Sequence, residues 1–192
     1  MTYAITVLYG SVRRDRQGIR AARFVEQQIE SRGHTPTLID ALAVELPLLD
    51  RMYKEYDAGQ APANLESMAR VLKASDGFIV VSGEYNHGIP PALKNMLDHF
   101  LEEWFWRPSA IASYSQGSYG GVRAAMQLRM TLAELGMPSI SPLLAVPRVD
   151  KAFAEDGTPT DDAWLRRAAK FLDEFEWHVA AQKAQRALGT PY

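Results

Sequence analysis

The most chemically capable side chains of the chain are grouped in one polar loop, Glu84–Gly88 (EYNHG). The loop follows Gly77–Ser82, a β-branched and aromatic run typical of a buried strand. Pro90 and Pro91 come next and predict the start of a helix over Ala92–Glu103, because proline is tolerated in a first helical turn. The loop offers a carboxylate, an aromatic face, an amide and an imidazole at the carboxyl end of a strand. In open parallel sheets ligands bind at that edge, so the pattern predicts a binding loop.

A second loop has the groups of a phosphate site. The stretch GSVRRDRQG places the Ser11 hydroxyl directly after a strand, and Arg13 and Arg16 follow it. A helix then begins at Gly18 and Ile19, where free N–H groups and the positive end of the helix dipole favour an anion. The loop has neither the Gly-Lys-Ser/Thr of a Walker loop nor the G-x-G-x-x-G spacing of a dinucleotide fold. From these residues alone, a solvated basic loop is an equal alternative.

A third loop, Gln116–Gly121, holds three glycines and follows the strand Ala110–Ser115. Glycines permit positive φ angles and let backbone amides face a ligand, although a plain tight turn explains them equally well. The helix Val122–Leu135 comes next and is closed by Gly136. All three loops therefore fall at the same edge of the predicted sheet, and this convergence indicates one ligand site.

The remaining residues exclude several kinds of chemistry. The chain has no cysteine, so disulfides, thiolate catalysis and iron–sulfur clusters are excluded. No metal site is expected, because no H-x-x-x-H spacing or carboxylate cluster accompanies the four scattered histidines, His34, His87, His99 and His178. No serine lies in a G-x-S-x-G elbow. A bound cofactor must therefore supply the chemistry, while the protein positions it.

Length and charge fit one globular domain spanning residues 1–192. The net charge is −2 with no block of like charge, so no nucleic acid or membrane partner is implied. The chain begins directly with a strand and has no signal peptide or apolar run long enough to span a membrane, so a cytoplasmic location is expected.

The elements that position the loops alternate between strands and helices. The other predicted strands are Tyr3–Tyr9, His34–Asp40 and Ser141–Val146, and the other helices are Gly18–Arg32, Pro62–Ala74 and one beginning after Thr160. Thr160 is predicted to cap this last helix, whose stripe of Leu165, Ala168, Leu172, Phe175 and Val179 should face the sheet. The irregular segment 41–60 is either a lid or subunit contact, or a loop that covers the core.

The loops also carry a resemblance to a known family. EYN-x-x-x-P-x-x-L-K-N-x-x-D, GSVRRDRQG and the S-x-G-x-x-G-G-x-R-A run resemble motifs of the NAD(P)H-dependent FMN reductase family, and the resemblance extends from Gly10 to about Pro138. Gly83 departs from the pattern, which usually has proline there.

The resemblance implies a flavodoxin-like, doubly wound α/β fold with a five-stranded parallel sheet in the order 2-1-3-4-5. It implies that FMN is the cofactor and that NADPH or NADH is the co-substrate. The implied residues around the phosphate are Ser11, Arg13, Arg16, Gln17, Gly18 and Ile19. Those implied around the flavin ring are Glu84, Tyr85, Asn86, His87, Gly88, Ser115, Gly117, Tyr119, Gly120 and Gly121.

The function implied is hydride transfer from NAD(P)H through FMN to a small acceptor such as a quinone, free flavin, azo compound or chromate, in a ping-pong cycle. A homodimer or homotetramer is implied, with Pro91–Trp106 as the candidate contact surface, although Trp104 and Trp106 fit a core role as well. Two alternatives are a flavodoxin-like electron carrier, disfavoured by the nearly neutral charge, and a flavin-free domain of the same fold. The residues decide neither the physiological acceptor nor the choice between NADPH and NADH.

Overall fold

The computed structural model describes residues 1–192, in which five strands alternate with helices. The strands are β1 (Ala4–Tyr9), β2 (Thr35–Asp40), β3 (Gly77–Ser82), β4 (Ser109–Tyr114) and β5 (Ser139–Val146). The helices are α1 (Ile19–Ser31), α2 (Ala41–Val44), α3 (Ala63–Ala74), α4 (Pro91–Asp98), α5 (Val122–Glu134), α6 (Val149–Ala152) and α7 (Ala163–Leu188). None of these helices combines the length and the apolar character needed to cross a membrane.

The five strands form one parallel sheet in the order β2-β1-β3-β4-β5, which confirms the predicted topology. The chain moves outward from β1 to β2 and then returns to place β3 on the other side of β1. The loops that follow β1 and β3 therefore diverge toward opposite faces of the sheet. This reversal opens a crevice at the carboxyl ends of neighbouring strands.

Two apolar layers cover the faces of the sheet, because side chains alternate between faces along each strand. In β1, Ile5 and Val7 pack with α1 and α7, whereas Leu8 packs with α3, α4 and α5. All residues of β3 and β4 are buried, as expected for central strands. The edge strands are β2 and β5, and β2 tolerates Pro36 because an edge strand can lack one ladder donor.

Helix α4 is shorter than predicted, because it ends at Asp98 rather than Glu103. The indole N–H of Trp104 donates to the carbonyls of Leu97 and Phe100, at 3.1 and 3.2 Å, and these acceptors are no longer free for the next helical turn. The chain turns inward, buries Trp104 completely and continues as a 3₁₀ turn, Glu102–Trp104. Burial of a large aromatic side chain therefore outweighs local helix propensity here.

The last helix departs from two predictions. Thr160 does not cap α7, because its hydroxyl donates to the carbonyls of Lys151 and Ala152; instead the N–H of Ala163 donates to Asp161. The buried stripe of α7 contains Phe171 in place of Leu165, which is exposed.

The irregular segment 41–60 is held against α4 by one amide side chain. Asn95 donates from Nδ2 to the carbonyl of Pro47 at 2.7 Å, and its Oδ1 accepts from the N–H of Leu49 at 2.8 Å. Leu46 packs on the core, while Leu48 is 86% exposed. The segment thus covers the core with one leucine and presents another to the outside.

Candidate functional site

A cavity of about 260 Å³ lies at the carboxyl edge of the sheet, enclosed by the loops after β1, β3 and β4. Nine of the predicted site residues border it: Ser11, Arg13, Arg16, Gln17, Gly18, Glu84, Tyr85, Ser115 and Gly117. The structure therefore brings residues from all three predicted loops around one space. Ile19 is the member of the first loop that does not border the cavity, since it packs against the core below α1.

The first loop presents main-chain donors that the protein does not use. The backbone N–H groups of residues 11–16 donate to no backbone carbonyl, and α1 begins just beyond them with Gly18 as its N-cap. The side-chain oxygen Oε1 of Gln17 is buried and has no hydrogen-bond partner. Free amides at the positive end of a helix suit a phosphate, and an unpaired amide side chain beside them suits the polar groups of a bound ligand.

The two arginines of this loop that border the cavity differ in whether a carboxylate already neutralises them. Arg16 forms an ion pair with Asp40 at the end of β2, and both oxygens of that carboxylate accept from its Nη1. Arg13 borders the cavity, is exposed and has no carboxylate partner. Arg16 therefore ties the loop to β2, and Arg13 is the available cation.

The second loop is a tight two-residue turn. Tyr85 and Gly88 exchange two main-chain hydrogen bonds, at 3.1 and 2.9 Å, and the intervening Asn86 and His87 have φ angles of 51° and 66°. Two consecutive positive φ angles are typical of a type I′ turn, in which glycine is preferred at the second position. His87 occupies that position, so the turn holds an imidazole in a strained conformation at its exposed tip.

Glu84 joins the second loop to the third. Its carboxylate accepts from the backbone N–H groups of Arg123 and Ala124, at 2.9 and 3.2 Å, and from the Arg123 guanidinium. It caps α5 from outside, because the N-cap residue Gly121 has no side chain. Burial acts to raise the pKa of Glu84, but the hydrogen bonds from Ala124 and Arg123 hold that pKa below its ordinary value. Glu84 is therefore an ionised cap that fixes the relative position of two loops.

The third loop is organised mainly by its own contacts. The Ser115 hydroxyl accepts from the N–H of Gly120 at 2.9 Å. Gly120 and Gly121 have φ angles of 63° and 73° and lie against the ends of β4 and β5, so neither borders the cavity. Tyr119 is 66% exposed and lies beneath the Arg123 guanidinium, 4.4 Å from ring centroid to Cζ. Gly117 has open space around its Cα.

Five residues that border the cavity were not predicted from the sequence: Asp15, Gly83, Tyr114, Gln116 and Val149. Tyr114 is the last residue of β4, and the rule that strand ends form the site would have identified it. Val149 begins α6 after Arg148, a residue with φ of 47° that turns the chain back toward the site. No local motif marks that turn.

Comparisons with known proteins identify the family to which the chain is similar. The family model described as "NADPH-dependent FMN reductase" matches residues 3–151. A quinone reductase of Pseudomonas putida is 25% identical over 187 residues, which cover 95% of this chain and 97% of that protein. An NAD(P)H-dependent FMN reductase of Saccharomyces cerevisiae is 30% identical over 146 residues, covering 69% of this chain and 75% of that one.

Solved structures share the fold at lower identity. The flavoenzyme NAD(P)H:(acceptor) oxidoreductase FerB of Paracoccus denitrificans has a TM-score of 0.76 at 23% identity, over 92% of this chain and 99% of its own. A flavodoxin of Pseudomonas aeruginosa has a TM-score of 0.53 at 19% identity, over 88% of this chain and 99% of its own. Both show the same flavodoxin-like arrangement of sheet and helices.

Proposed function

Because the chain belongs to the NADPH-dependent FMN reductase family, whose cofactor is FMN and whose co-substrate is NAD(P)H, we propose that it passes reducing equivalents from NAD(P)H to a small acceptor such as a quinone. The observation that carries the proposal is the first loop. Its backbone N–H groups, at residues 11–16, have no internal acceptor at the start of a helix that faces the cavity. FMN, when bound, supplies the redox chemistry, since none of the lining side chains is itself a redox group.

In this proposal the phosphate lies on the first loop, and the ring lies between the second and third loops. The donors for the phosphate are the free backbone amides and Arg13. Tyr85 lines the cavity from the second loop and Ser115 and Gly117 from the third. Glu84 fixes the distance between these two loops through its hydrogen bonds to the start of α5, and thereby sets the width of the slot for a flat ring.

The co-substrates are proposed to bind in turn at the exposed side of the ring. His87 and Asn86 form the exposed tip of the second loop, and Tyr119 with Arg123 forms the exposed rim of the third. No second nucleotide-binding fingerprint occurs in the chain, so NAD(P)H and the acceptor would share one face and alternate. Quinones, free flavins, azo compounds and chromate are the acceptor classes to test.

The first experiment is an absorption spectrum of the purified protein after incubation with FMN and desalting, followed by anaerobic addition of NADPH or NADH. We expect retained yellow colour that bleaches. Retained colour that does not bleach would contradict a reductase and favour an electron carrier, and a colourless protein would contradict the cofactor site. Parallel lines in steady-state plots with a quinone would support alternating binding, and intersecting lines would contradict it.

A matched pair of variants tests the placement of the phosphate. Arg13→Ala removes the free cation at the cavity, whereas Arg14→Ala removes an exposed neighbouring cation that does not border it. A hydrogen bond to a charged group contributes roughly 1.5–3 kcal/mol, so Arg13→Ala should weaken FMN binding about tenfold or more and Arg14→Ala very little. Equal effects of the two substitutions would contradict this placement.

A homodimer, or a pair of dimers, is also proposed, and its contact surface differs from the sequence-based one. Leu93, Met96, Leu97 and Trp104 are buried in the chain's own core, so the apolar side of Pro91–Trp106 is not available to a partner. Leu48, exposed on the segment that Asn95 holds, is a better candidate. Light scattering of the wild-type protein and of Leu48→Ser tests this, and a 21 kDa species alone in the wild type would contradict it.

A further inference from the structure

Tyr114 reaches the floor of the cavity from the end of β4. It is only 9% exposed and still borders the cavity, and its tip lies against Gly18 and Gly83, which border the cavity too. A Cβ atom placed on Gly18 would lie 1.9 Å from ring carbon Cζ and 2.4 Å from the hydroxyl oxygen of Tyr114. The phenol tip is therefore in direct contact with the main chain at the N-cap of α1.

The space available at position 83 is limited by the same Tyr114 side chain. A Cβ there would lie 3.1 Å from both Cζ and the hydroxyl oxygen of Tyr114, closer than ordinary van der Waals contact. Neither Gly18 nor Gly83 has a positive φ angle, so a larger residue is opposed there by lack of space rather than by backbone conformation, severely at Gly18 and by a few tenths of an ångström at Gly83. The departure of Gly83 from the proline of the motif thus has a physical reason, because a larger residue would press on the Tyr114 hydroxyl.

Near this hydroxyl, a bound anion would be held mainly by neutral hydrogen-bond donors. The nearest loop cation, Arg16, is already neutralised by Asp40, and a further carboxylate, Asp15, also borders the cavity. An anion at the start of α1 therefore depends on uncharged N–H and O–H groups together with Arg13. Burial and the neighbouring Tyr9 raise the pKa of Tyr114 well above its usual range, so its hydroxyl stays protonated.

We propose that the Tyr114 hydroxyl donates a hydrogen bond to the phosphate of FMN at the N-terminus of α1, and that Gly18 and Gly83 are glycines in order to admit it. The inference rests on the proposed position of the phosphate on the first loop. It assigns to β4 a role in recognising the phosphate end of the cofactor, in addition to the ring. Tyr114 thereby distinguishes FMN from riboflavin, which has the same ring and ribityl chain without the phosphate.

The test uses Tyr114→Phe, which keeps the ring and removes only the hydroxyl. The control is Tyr53→Phe, which removes a phenol hydroxyl that donates to Glu66 and does not border the cavity. Dissociation constants for FMN and for riboflavin are measured by flavin fluorescence quenching with apoprotein. Loss of a hydrogen bond to a charged group should weaken FMN binding by roughly ten- to hundredfold, with riboflavin unchanged. The phosphorus NMR shift of bound FMN should change in Tyr114→Phe alone.

Other outcomes overturn the proposal. Unchanged FMN affinity in Tyr114→Phe, or an equal loss for FMN and riboflavin, contradicts a contact with the phosphate. Thermal unfolding of each apoprotein identifies any loss that comes from the fold. A second variant, Gly83→Ala, displaces the hydroxyl while retaining it, and its effect on FMN should disappear in the background of Tyr114→Phe; additive effects would contradict the coupling. If wild-type protein binds no FMN at all, the proposed function fails, whereas normal wild-type binding with an unaffected variant refutes only the role of Tyr114.

Discussion

The two edges of the sheet use polar groups in opposite ways. At the amino edge, Asp76 accepts from the N–H of Ala4 and pairs with Lys183 and Arg186 of α7. Arg107 donates to four backbone carbonyls at the same edge. At the carboxyl edge, the amides of residues 11–16 and the side chain of Gln17 have no such partners.

Cavity size and unpaired polar groups point to different edges of the sheet. The amino edge has a cavity of about 490 Å³ lined by Trp106, Arg186 and the C-terminal residues, larger than the 260 Å³ space at the carboxyl edge. There the Arg186 guanidinium donates to the carbonyl of Trp106 and to Asp76, and the indole nitrogen of Trp106 is the one buried side-chain atom of the lining without a partner. Unused donors gathered at strand ends, rather than volume, mark the candidate site.

The largest expected effect is a loss of stability at the amino edge of the sheet, and it should leave FMN binding unchanged. Asp76→Ala leaves Arg186 and the N–H of Ala4 without their acceptor in a partly buried position, which should lower the free energy of unfolding by about 3 kcal/mol. Asp98→Ala, which breaks an exposed pair with Lys94, is the control and should cost under about 1 kcal/mol. Urea unfolding measures both, and a loss of FMN affinity in Asp76→Ala would contradict the separation of the two edges.

Gly18→Ala should lower the free energy of unfolding less than Asp76→Ala does, but it should weaken FMN binding more. The added methyl group meets the ring of Tyr114 at 1.9 Å, so either the ring or the start of α1 must move. Overpacking of this kind should destabilise the protein by roughly 2 kcal/mol and abolish tight FMN binding. Gly77→Ala is the matched control, because its new methyl group overpacks Phe175 and Val179, at 2.8 and 2.9 Å, away from the cavity. Equal FMN affinities of the two variants would show that the first loop does not contact the cofactor.

Glu84→Gln should change the pH dependence of stability. Because the pKa of Glu84 is below its unfolded value, ionised Glu84 stabilises the folded protein above about pH 4.5, and this contribution is lost as the pH falls through the folded pKa. Loss of this helix cap should cost about 1 kcal/mol at neutral pH and nothing in strong acid. Unfolding of both proteins between acid and neutral pH measures the difference, and a constant gap would contradict the role of the charge.

The smallest effect is expected from His87→Gly, and it is a stabilisation. Glycine accepts the φ angle of 66° without steric cost, so the free energy of unfolding should rise by about 0.5–1 kcal/mol. Asn86→Gly is the comparison, since asparagine already tolerates this conformation and gains less. If His87→Gly lowers stability, the imidazole makes a stabilising contact that outweighs the strain.

Much of the architecture could be predicted because it depends on local patterns. The five strands and most helix limits follow from apolar periodicity, glycine and proline, and the same reasoning located three loops at one edge, whereas the order of the strands was implied by the family resemblance. The early end of α4 could not be predicted, because the indole of Trp104 competes for its carbonyls only after the chain has folded back. The hydroxyl of Thr160 was misassigned for a similar reason, since its acceptors lie on α6 and not on α7.

Within the candidate site, the residue types could be predicted more readily than their partners. Arg16 and Glu84 both border the cavity as expected, yet each is held by a group that lies far away in sequence, Asp40 for one and the start of α5 for the other. Sequence spacing does not reveal which charges neutralise one another. Sequence spacing also does not explain why residue 83 is a glycine, because Tyr114, which limits the space there, belongs to the next strand.

The turn between Tyr85 and Gly88 has a consequence for the speed of cofactor exchange. It is closed by its own pair of main-chain hydrogen bonds, so its conformational entropy is lost when the protein folds and not when a ligand arrives. Association should therefore be limited by diffusion and orientation, and substitutions around the cavity should alter mainly the lifetime of the complex. Stopped-flow mixing of apoprotein with FMN should give similar association rates across these variants.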